Sequence, residues 1–271
     1  LAMASTERIF EYMDLEPRIP EPKASKAPAS MDGRLVFEGV TFGYDPDKPV
    51  LKDISFEVRP ARTTAIVGAT GAGKTTAVNL AERFYDPDQG AILLDGTDLR
   101  QWPEKALRQT VGLCLQDVFI FSGSIRENIA LGRKHVAPEM VVQAARTANA
   151  CGFIERLPKG FDTEMGEGGA SLSAGERQLL SIARAFARDP ELILLDEATS
   201  YIDSETEQRV QAALANLMRG RTAVVIAHRL STARTADRIL VMHKGRIIES
   251  GGHEVLVARR GFYYRLHQVQ G

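Results

Sequence analysis

The chain has 271 residues, of which 44% are hydrophobic, so it can fill a sizeable core in one large or two ordinary domains. Its 34 Lys and Arg balance 35 Asp and Glu, and a net charge of −1 gives no electrostatic support for nucleic acid or an anionic membrane surface as a partner. No apolar run approaches the ~20 residues of a membrane-spanning helix, and the N-terminus lacks a signal-peptide pattern, so we expect the chain as given to be soluble and unsecreted.

The first 33 residues are predicted to be the end of a helix followed by a linker. Residues 4–14 place apolar side chains on one side of a helix, and residues 16–31 carry four prolines among Ala, Ser and Lys. That composition is typical of an extended linker. We therefore expect a boundary after residue 33 and one domain over residues 34–271.

Residues 34–58 alternate apolar and polar side chains, which predicts antiparallel strands. Tyr44 follows one of these runs, just before a turn. An aromatic ring at a strand end could stack on a purine base. Alone, such a ring is more often part of a core.

Residues 68–76, GATGAGKTT, join an apolar run to a helix-compatible stretch that ends near Phe84, and they have the spacing of a Walker A phosphate loop. Glycines let the backbone turn its N–H groups toward a polyphosphate, and the helix adds its positive N-terminal end. Lys74 would reach the terminal phosphates, and the Thr75 hydroxyl would ligate Mg²⁺. A mere glycine-rich connection is the alternative. The strand before the loop and the helix after it favour a nucleoside triphosphate site.

Beyond residue 90, strands and helices alternate, which predicts a layered α/β fold with mostly parallel strands. Three apolar strands end in polar residues: Gln116, the pair Asp196 and Glu197, and His228. Ligand sites of open α/β sheets lie at such ends. Asp196 would hold Mg²⁺, and Glu197 would orient or deprotonate the attacking water. Gln116 and His228 are weak signals alone, because a polar residue after a strand is ordinary.

Residues 124–190 are predicted to be largely helical and to form a second lobe, with the clearest helices over 125–131, 138–154 and 178–187. A glycine-rich loop at 163–170 is expected to be exposed. Ser173 and Glu176 have the spacing of a capping box, and for these residues alone a helix cap is the preferred interpretation. The tail is predicted to form strands and a terminal helix that carry no chemistry.

With these motifs in order, residues 34–271 resemble the nucleotide-binding domain of ATP-binding cassette (ABC) transporters. Many unrelated NTPases have a Walker A loop, whereas the ordered set with a Q-loop, a signature, a Walker B strand, a D-loop and a switch histidine is specific. The resemblance implies a P-loop NTPase core with a mostly parallel sheet, an antiparallel β subdomain and an α-helical subdomain near residues 120–188.

The resemblance also implies roles for individual residues. ATP would be bound by Tyr44, Gly68, Thr70, Gly71, Ala72, Gly73, Lys74, Thr75 and Thr76. The catalytic set would be Gln116, Glu197 and His228, and the Mg²⁺ ligands would be Thr75, Gln116 and Asp196. ATP of the opposite subunit would meet Ser173, Gly175, Glu176 and Asp203.

Residues 121–129 and 163–167 are similar to segments of exporters, and the N-terminal helix resembles the segment after the last membrane helix of a fused half-transporter. The implied partners are a transmembrane domain of the same polypeptide and a second nucleotide-binding domain, which dimerises head to tail around ATP. The implied location is the cytoplasmic face of a membrane, the cell inner membrane, with the fragment itself soluble. The substrate is selected by membrane helices, so lipid, drug and peptide stay open.

Two motifs depart from the family pattern. The signature Leu-Ser-Gly-Gly-Gln carries Ala174 and Glu176 here, and the D-loop Ser-Ala-Leu-Asp carries Tyr201 and Ile202. Because a signature serves the opposite subunit's ATP, an altered signature beside intact Glu197 indicates an asymmetric heterodimer, with a homodimer as the alternative. The competing functions are a soluble ABC ATPase of DNA repair or translation and a regulatory module that binds ATP without turnover.

Overall fold

The structure is a computed structural model that describes residues 10, 13, 14, 19, 21, 22, 31–115, 118–131, 136–169, 171–196, 204–227 and 230–270. Most of the predicted N-terminal helix and linker lie outside the described residues. Within that stretch Phe10 and Met13 are helical, and both are exposed.

The secondary structure alternates between strands and helices along most of the chain. The strands are β1 (Leu35–Phe42), β2 (Leu51–Val58), β3 (Thr63–Val67), β4 (Gln89–Leu94), β5 (Thr97–Asp98), β6 (Val111–Cys114), β7 (Gly123–Ser124), β8 (Glu164–Met165), β9 (Leu192–Asp196), β10 (Thr222–Ile226), β11 (Arg238–His243) and β12 (Arg246–Gly251). The helices are α1 (Lys74–Ala81), α2 (Glu104–Thr110), α3 (Ile125–Ala130), α4 (Pro138–Thr147), α5 (Cys151–Ile154), α6 (Ala174–Arg188), α7 (Ser204–Met218), α8 (Leu230–Thr235), α9 (His253–Ala258) and α10 (Phe262–Gln270). Short 3₁₀ turns lie at Leu99–Gln101, Gly160–Asp162 and Glu167–Gly169.

A four-stranded antiparallel sheet has the order β2-β1-β4-β5, which confirms the antiparallel strands predicted for residues 34–58. Alternate side chains of β1 face a core, where Leu35 and Phe37 are buried. The Phe37 ring stacks on the ring of Phe56 from β2, with 4.4 Å between centroids. Period-two burial of this kind is what the alternating sequence requires.

A six-stranded sheet with the order β12-β11-β3-β10-β9-β6 forms the centre of the fold. Its pairings are parallel except for β11 with β12. Strands β3, β9 and β10 are buried along nearly their whole length, as continuous apolar runs are in parallel sheets covered on both faces. The predicted fold class, an α/β core with a mostly parallel sheet, an antiparallel sheet and a helical part, is confirmed.

The helical part between α3 and α6 differs from the sequence prediction in two details. Asn149 has a φ of 56°, and it separates α4 from α5 within the stretch predicted as one helix. The loop at 163–170 is not fully exposed, because Met165 is 5% exposed and β8 pairs with β7. Gly169 is also buried, since a Cβ there would lie 2.7 Å from the side chain of Ile120.

The C-terminal segment closes the fold with two helices, α9 and α10, and the latter confirms the predicted terminal helix. Tyr263 of α10 is fully buried, and its hydroxyl lies 2.8 Å from Nδ1 of His253. Over the part of the chain that the structure describes, no helix combines the length and the apolar character needed to cross a membrane.

Candidate nucleotide site

The loop predicted to cradle phosphate leaves the buried strand β3 and enters α1 through a tightly packed turn. The Ala72 amide donates to the Ala69 carbonyl at 3.1 Å, and the Ala72 carbonyl accepts from the Gly245 amide at 3.1 Å. A Cβ at Gly68 would lie 2.2 Å from the carbonyl oxygen of Met242 in β11, so only glycine fits there. The core of the protein therefore fixes the path of the loop.

Helix α1 begins at this loop without a side-chain cap. Its N-cap residue is Gly73, in the left-handed region at φ 102°, and its first turn contains no acidic residue. The first N–H groups of a helix have no partner within the helix, and together with the helix dipole they favour an anion. The start of α1 thus has the properties of a phosphate-binding turn.

Lys74 is 7% exposed and folds back over the loop. Its Nζ donates to the carbonyl oxygens of Gly68 at 2.8 Å and Ala69 at 3.1 Å. Burial lowers the pKa of the Lys74 ammonium, and the nearby Asp196 carboxylate opposes that shift. A lysine has three N–H donors, so these two bonds leave one for a phosphate oxygen.

Thr75 and Asp196 approach each other across the loop and the end of β9. The Thr75 hydroxyl lies 3.5 Å from Oδ2 of Asp196. A hydroxyl and a carboxylate are hard oxygen ligands of the kind that Mg²⁺ takes beside a phosphate. The residues present therefore fit a magnesium ion at this edge of the sheet.

The remaining predicted residues at the sheet edge, Gln116, Glu197 and His228, lie outside the described residues, as does Asp203. The strands before them do lie side by side. Cys114 pairs with Leu195, and Ile226 pairs with Asp196, so β6, β9 and β10 end at matching levels of the sheet. The carboxyl ends of parallel strands share one edge of a sheet. The ends of β6 and β10 therefore lie beside Asp196, at the end of β9.

The predicted base-stacking residue Tyr44 lies beside α1 rather than in the core. Its side chain is 53% exposed, and its hydroxyl lies 3.3 Å from Oγ1 of Thr76. Asn79, one turn further along α1, donates from Nδ2 to the same hydroxyl at 3.2 Å. The ring is therefore placed next to the phosphate loop.

The comparisons with known proteins agree with this geometry. A family model described as ABC transporter matches residues 51–200. The chain belongs to the ABC transporter family. The ABC match spans the phosphate loop and the end of β9, which are described above, and also the signature.

The relatives that this ABC domain matches are longer chains than the domain itself. The ABC transporter ATP-binding protein YfiC of Bacillus subtilis is 48% identical over 269 residues, 99% of this chain and 44% of that protein. An ATP-dependent lipid A-core flippase of Chromobacterium violaceum is 49% identical, over 99% of this chain and 46% of the relative. A solved bacterial Atm1-family ABC exporter with ATP bound is 39% identical, with a TM-score of 0.92 over 99% of this chain and 47% of its own. The chain spans about half the length of the curated relatives that it matches.

The ABC signature lies at the start of α6, in the helical part. The Ser173 hydroxyl accepts from the Glu176 amide at 3.2 Å, and Oε2 of Glu176 accepts from the Ser173 amide at 2.9 Å. The helix-cap interpretation of these two residues is confirmed. Gly175 is buried, Ser173 is exposed, and Arg156 forms a 3.7 Å ion pair with Glu176.

Sequence reasoning missed two contributors to the ABC site. Asn79 holds the Tyr44 hydroxyl, and Met242 supplies the carbonyl that restricts Gly68. Neither residue belongs to a motif, and each acts through a contact with a distant segment. An asparagine inside a helix that follows a phosphate loop carries no distinctive signal, so this omission could not have been avoided.

Proposed function

We propose that this chain is the ATP-binding and ATP-hydrolysing motor domain of an exporter. The observation that carries the proposal is the approach of Thr75 to Asp196 at the end of β9, beside the buried Lys74 that folds over the same phosphate loop. The Asp196 carboxylate lies beside the phosphate loop, at the end of the buried strand β9. It is suited to holding a metal ion against a triphosphate.

In this proposal the loop binds ATP through its backbone N–H groups and the Lys74 ammonium. Thr75, Asp196 and Gln116 would hold Mg²⁺, which would neutralise charge on the phosphates when bound. Glu197 would accept a proton from the attacking water, and His228 would contact the γ-phosphate. These last two roles rest on sequence position, since Glu197 directly follows β9 and His228 follows the end of β10 by two residues.

The nucleotide site is completed across a dimer. Ser173, Gly175, Glu176 and Asp203 would contact ATP held by a second nucleotide-binding domain, so one chain does not form a whole catalytic site. The altered signature supports a heterodimer, in which this chain supplies a hydrolytic site and lends a weaker signature to its partner. Closing around ATP and reopening after hydrolysis would drive the transport cycle.

The domain boundaries follow from the same proposal. Residues 1–33 would be the end of a membrane-domain helix and a linker, residues 34–271 the ATP-binding domain, and residues from about 120 to 188 its helical subdomain. The relatives include a flippase and an exporter, which supports a transmembrane domain of the same polypeptide as partner and the cytoplasmic face of a membrane as location.

A groove lined by residues on either side of Gln116 in the sequence supports coupling to membrane helices at this surface. Its volume is about 260 Å³, and its lining includes the apolar residues Leu115, Val118, Phe119, Phe121 and Leu131. The buried Arg184 of α6 donates to the Phe119 carbonyl at 2.6 Å and to the Asn128 carbonyl at 2.8 Å. Burial lowers the pKa of Arg184 to about 10, which still leaves it charged at neutral pH. A partner helix in this groove would therefore contact α6, the helix that begins at the signature.

A multiple-turnover ATPase assay with Mg-ATP, on this chain joined with a partner nucleotide-binding domain, tests the proposal. We expect Glu197→Gln to lower turnover by about 10²- to 10⁴-fold, the usual contribution of a general base, and to keep ATP binding. Glu191→Gln is the matched control, because Glu191 lies exposed just before β9, at the opposite end of the same strand. Wild-type turnover in Glu197→Gln would remove Glu197 from this role. ATP binding without any turnover, in the wild type joined with a partner domain, would favour the regulatory module.

A further inference from the structure

Tyr44 combines an exposed ring with a hydroxyl that is held at two points. The neighbouring ring of Phe42 is 4% exposed, whereas Tyr44 is 53% exposed. The Tyr44 hydroxyl nevertheless forms hydrogen bonds with Thr76 at 3.3 Å and with Asn79 at 3.2 Å, both in α1. Ordering an exposed side chain costs conformational entropy that burial does not recover here.

The ring itself is also restrained. Phe42 and Tyr85 both contact it edge to face, with centroids 5.1 Å and 5.2 Å away and interplanar angles of 83° and 85°. Edge-to-face contacts fix the plane of a ring, and hydrogen bonds at the hydroxyl fix its far end. The exposed aromatic surface of Tyr44 is thus presented in one orientation.

The directions of the two hydrogen bonds at the Tyr44 hydroxyl determine the role of the Thr76 hydroxyl. The Asn79 amide donates to the Tyr44 oxygen, so the Tyr44 proton is directed to Oγ1 of Thr76. Thr76 then accepts at its oxygen and keeps its own hydroxyl proton to donate. These two hydrogen bonds therefore join the Tyr44 ring to Thr76, a hydrogen-bond donor in the phosphate loop.

We propose that Asn79 and Thr76 form a hydroxyl clamp that presets Tyr44 as the platform for the base of ATP, which makes Asn79 a positioning residue for base recognition. The inference rests on the proposed ATP site and extends it to a residue outside every motif. A preset ring lowers the entropy lost when the base stacks on it. The clamp should therefore contribute to binding of ligands that carry a base, and not to binding of a bare polyphosphate.

Calorimetric titration of this chain with Mg-ATP and with Mg-tripolyphosphate tests the clamp. The variants are Tyr44→Phe, which keeps the ring, Asn79→Ala, and the two combined. Tyr85→Phe is the matched control, since it removes a hydroxyl from the same aromatic cluster but not from the clamp. Alanine has a higher helix propensity than asparagine, so Asn79→Ala should not weaken α1 itself.

We expect each single variant to raise the ratio of the ATP Kd to the tripolyphosphate Kd by roughly three- to tenfold, the effect of one hydrogen bond. The double variant should show little further loss, because both changes break the same clamp. Tyr85→Phe should leave the ratio unchanged.

An unchanged ratio, tighter ATP binding or an equal loss for both ligands in Tyr44→Phe would overturn the clamp. A wild-type chain that binds neither ligand would instead refute the proposed ATP site, so the two failures are distinguishable.

Discussion

Two helix N-termini of this molecule begin in opposite ways. Helix α1 starts at Gly73 with no side-chain cap and no acidic residue in its first turn, whereas α6 starts with the capping box of Ser173 and Glu176. The N–H groups of α1 are left for a ligand, and those of α6 are partly satisfied by the protein's own side chains. The first end can bind an anion unaided. The second is the end that we propose meets ATP held by a partner.

Helix α3 provides a reference for the N-terminus of α6. Helix α3 begins with a capping box of Ser124 and Glu127 that has the same reciprocal hydrogen bonds as α6. Ser124 is 9% exposed, however, whereas Ser173 is exposed. Both serines therefore have the stabilising role of a cap, and their different exposure lets the proposed contact of Ser173 with a partner's nucleotide be tested separately.

The largest effect is expected from a change that displaces the packed loop leading into α1. Gly68→Ala places a Cβ 2.2 Å from the Met242 carbonyl, so the loop must shift. Displacing binding groups by about 1 Å costs on the order of a hundredfold, and the overpacking costs about 1–3 kcal/mol of stability. ATP titration and urea unfolding measure both.

Gly166→Ala is the control, because no atom lies within 4 Å of its Cβ position. Unchanged ATP affinity in Gly68→Ala would contradict the packed-loop account.

The variants Ser173→Ala and Ser124→Ala distinguish the functions of the two capping boxes. Each should lower the free energy of unfolding by about 1 kcal/mol, the usual value of an N-cap. Only Ser173→Ala should also weaken the ATP-dependent dimer with a partner domain, by roughly tenfold, since it removes a hydrogen bond to a charged ligand. Light scattering in the Glu197→Gln background measures the dimer. Equal weakening by both variants would mean that the signature serine acts only as a cap.

A smaller effect is expected from Glu176→Gln. Glutamine keeps the capping box but removes a negative charge that would oppose a partner's phosphates. We expect the ATP-dependent dimer to become severalfold tighter, with a slight loss of stability because a carboxylate near a helix N-terminus is favourable. Glu127→Gln supplies the matched loss of charge at α3. A dimer that weakens in Glu176→Gln would show that this carboxylate is used in the partner's site.

The sequence predicts those parts of the site that local patterns encode. Glycine spacing indicated the loop before Lys74, and four apolar residues indicated the strand that ends at Asp196. The spacing of Ser173 and Glu176 indicated the cap that the structure contains. In each case the residues that make the feature lie within a few positions of one another.

What the sequence did not predict depends on contacts between distant segments. The buried side of the loop at 163–170 comes from Ile120 against Gly169, and the clamp on Tyr44 comes from Asn79. The break between α4 and α5 comes from a left-handed backbone at Asn149, a conformation that asparagine adopts in only some of its positions. No local periodicity reports such contacts.

The most direct test of the account is calorimetric titration of the chain and its Lys74→Ala variant with Mg-ATP. We expect wild-type binding at one site and a loss of roughly ten- to a hundredfold in Lys74→Ala, as for a charge-assisted hydrogen bond. Lys74→Met, which keeps most of the side-chain volume, should lose as much. Lys48→Ala should lose nothing, because Lys48 is 81% exposed and its ion pair is with Asp45 at 3.4 Å. ATP affinity that is unchanged in both Lys74 variants would contradict the claim that this loop binds the nucleotide.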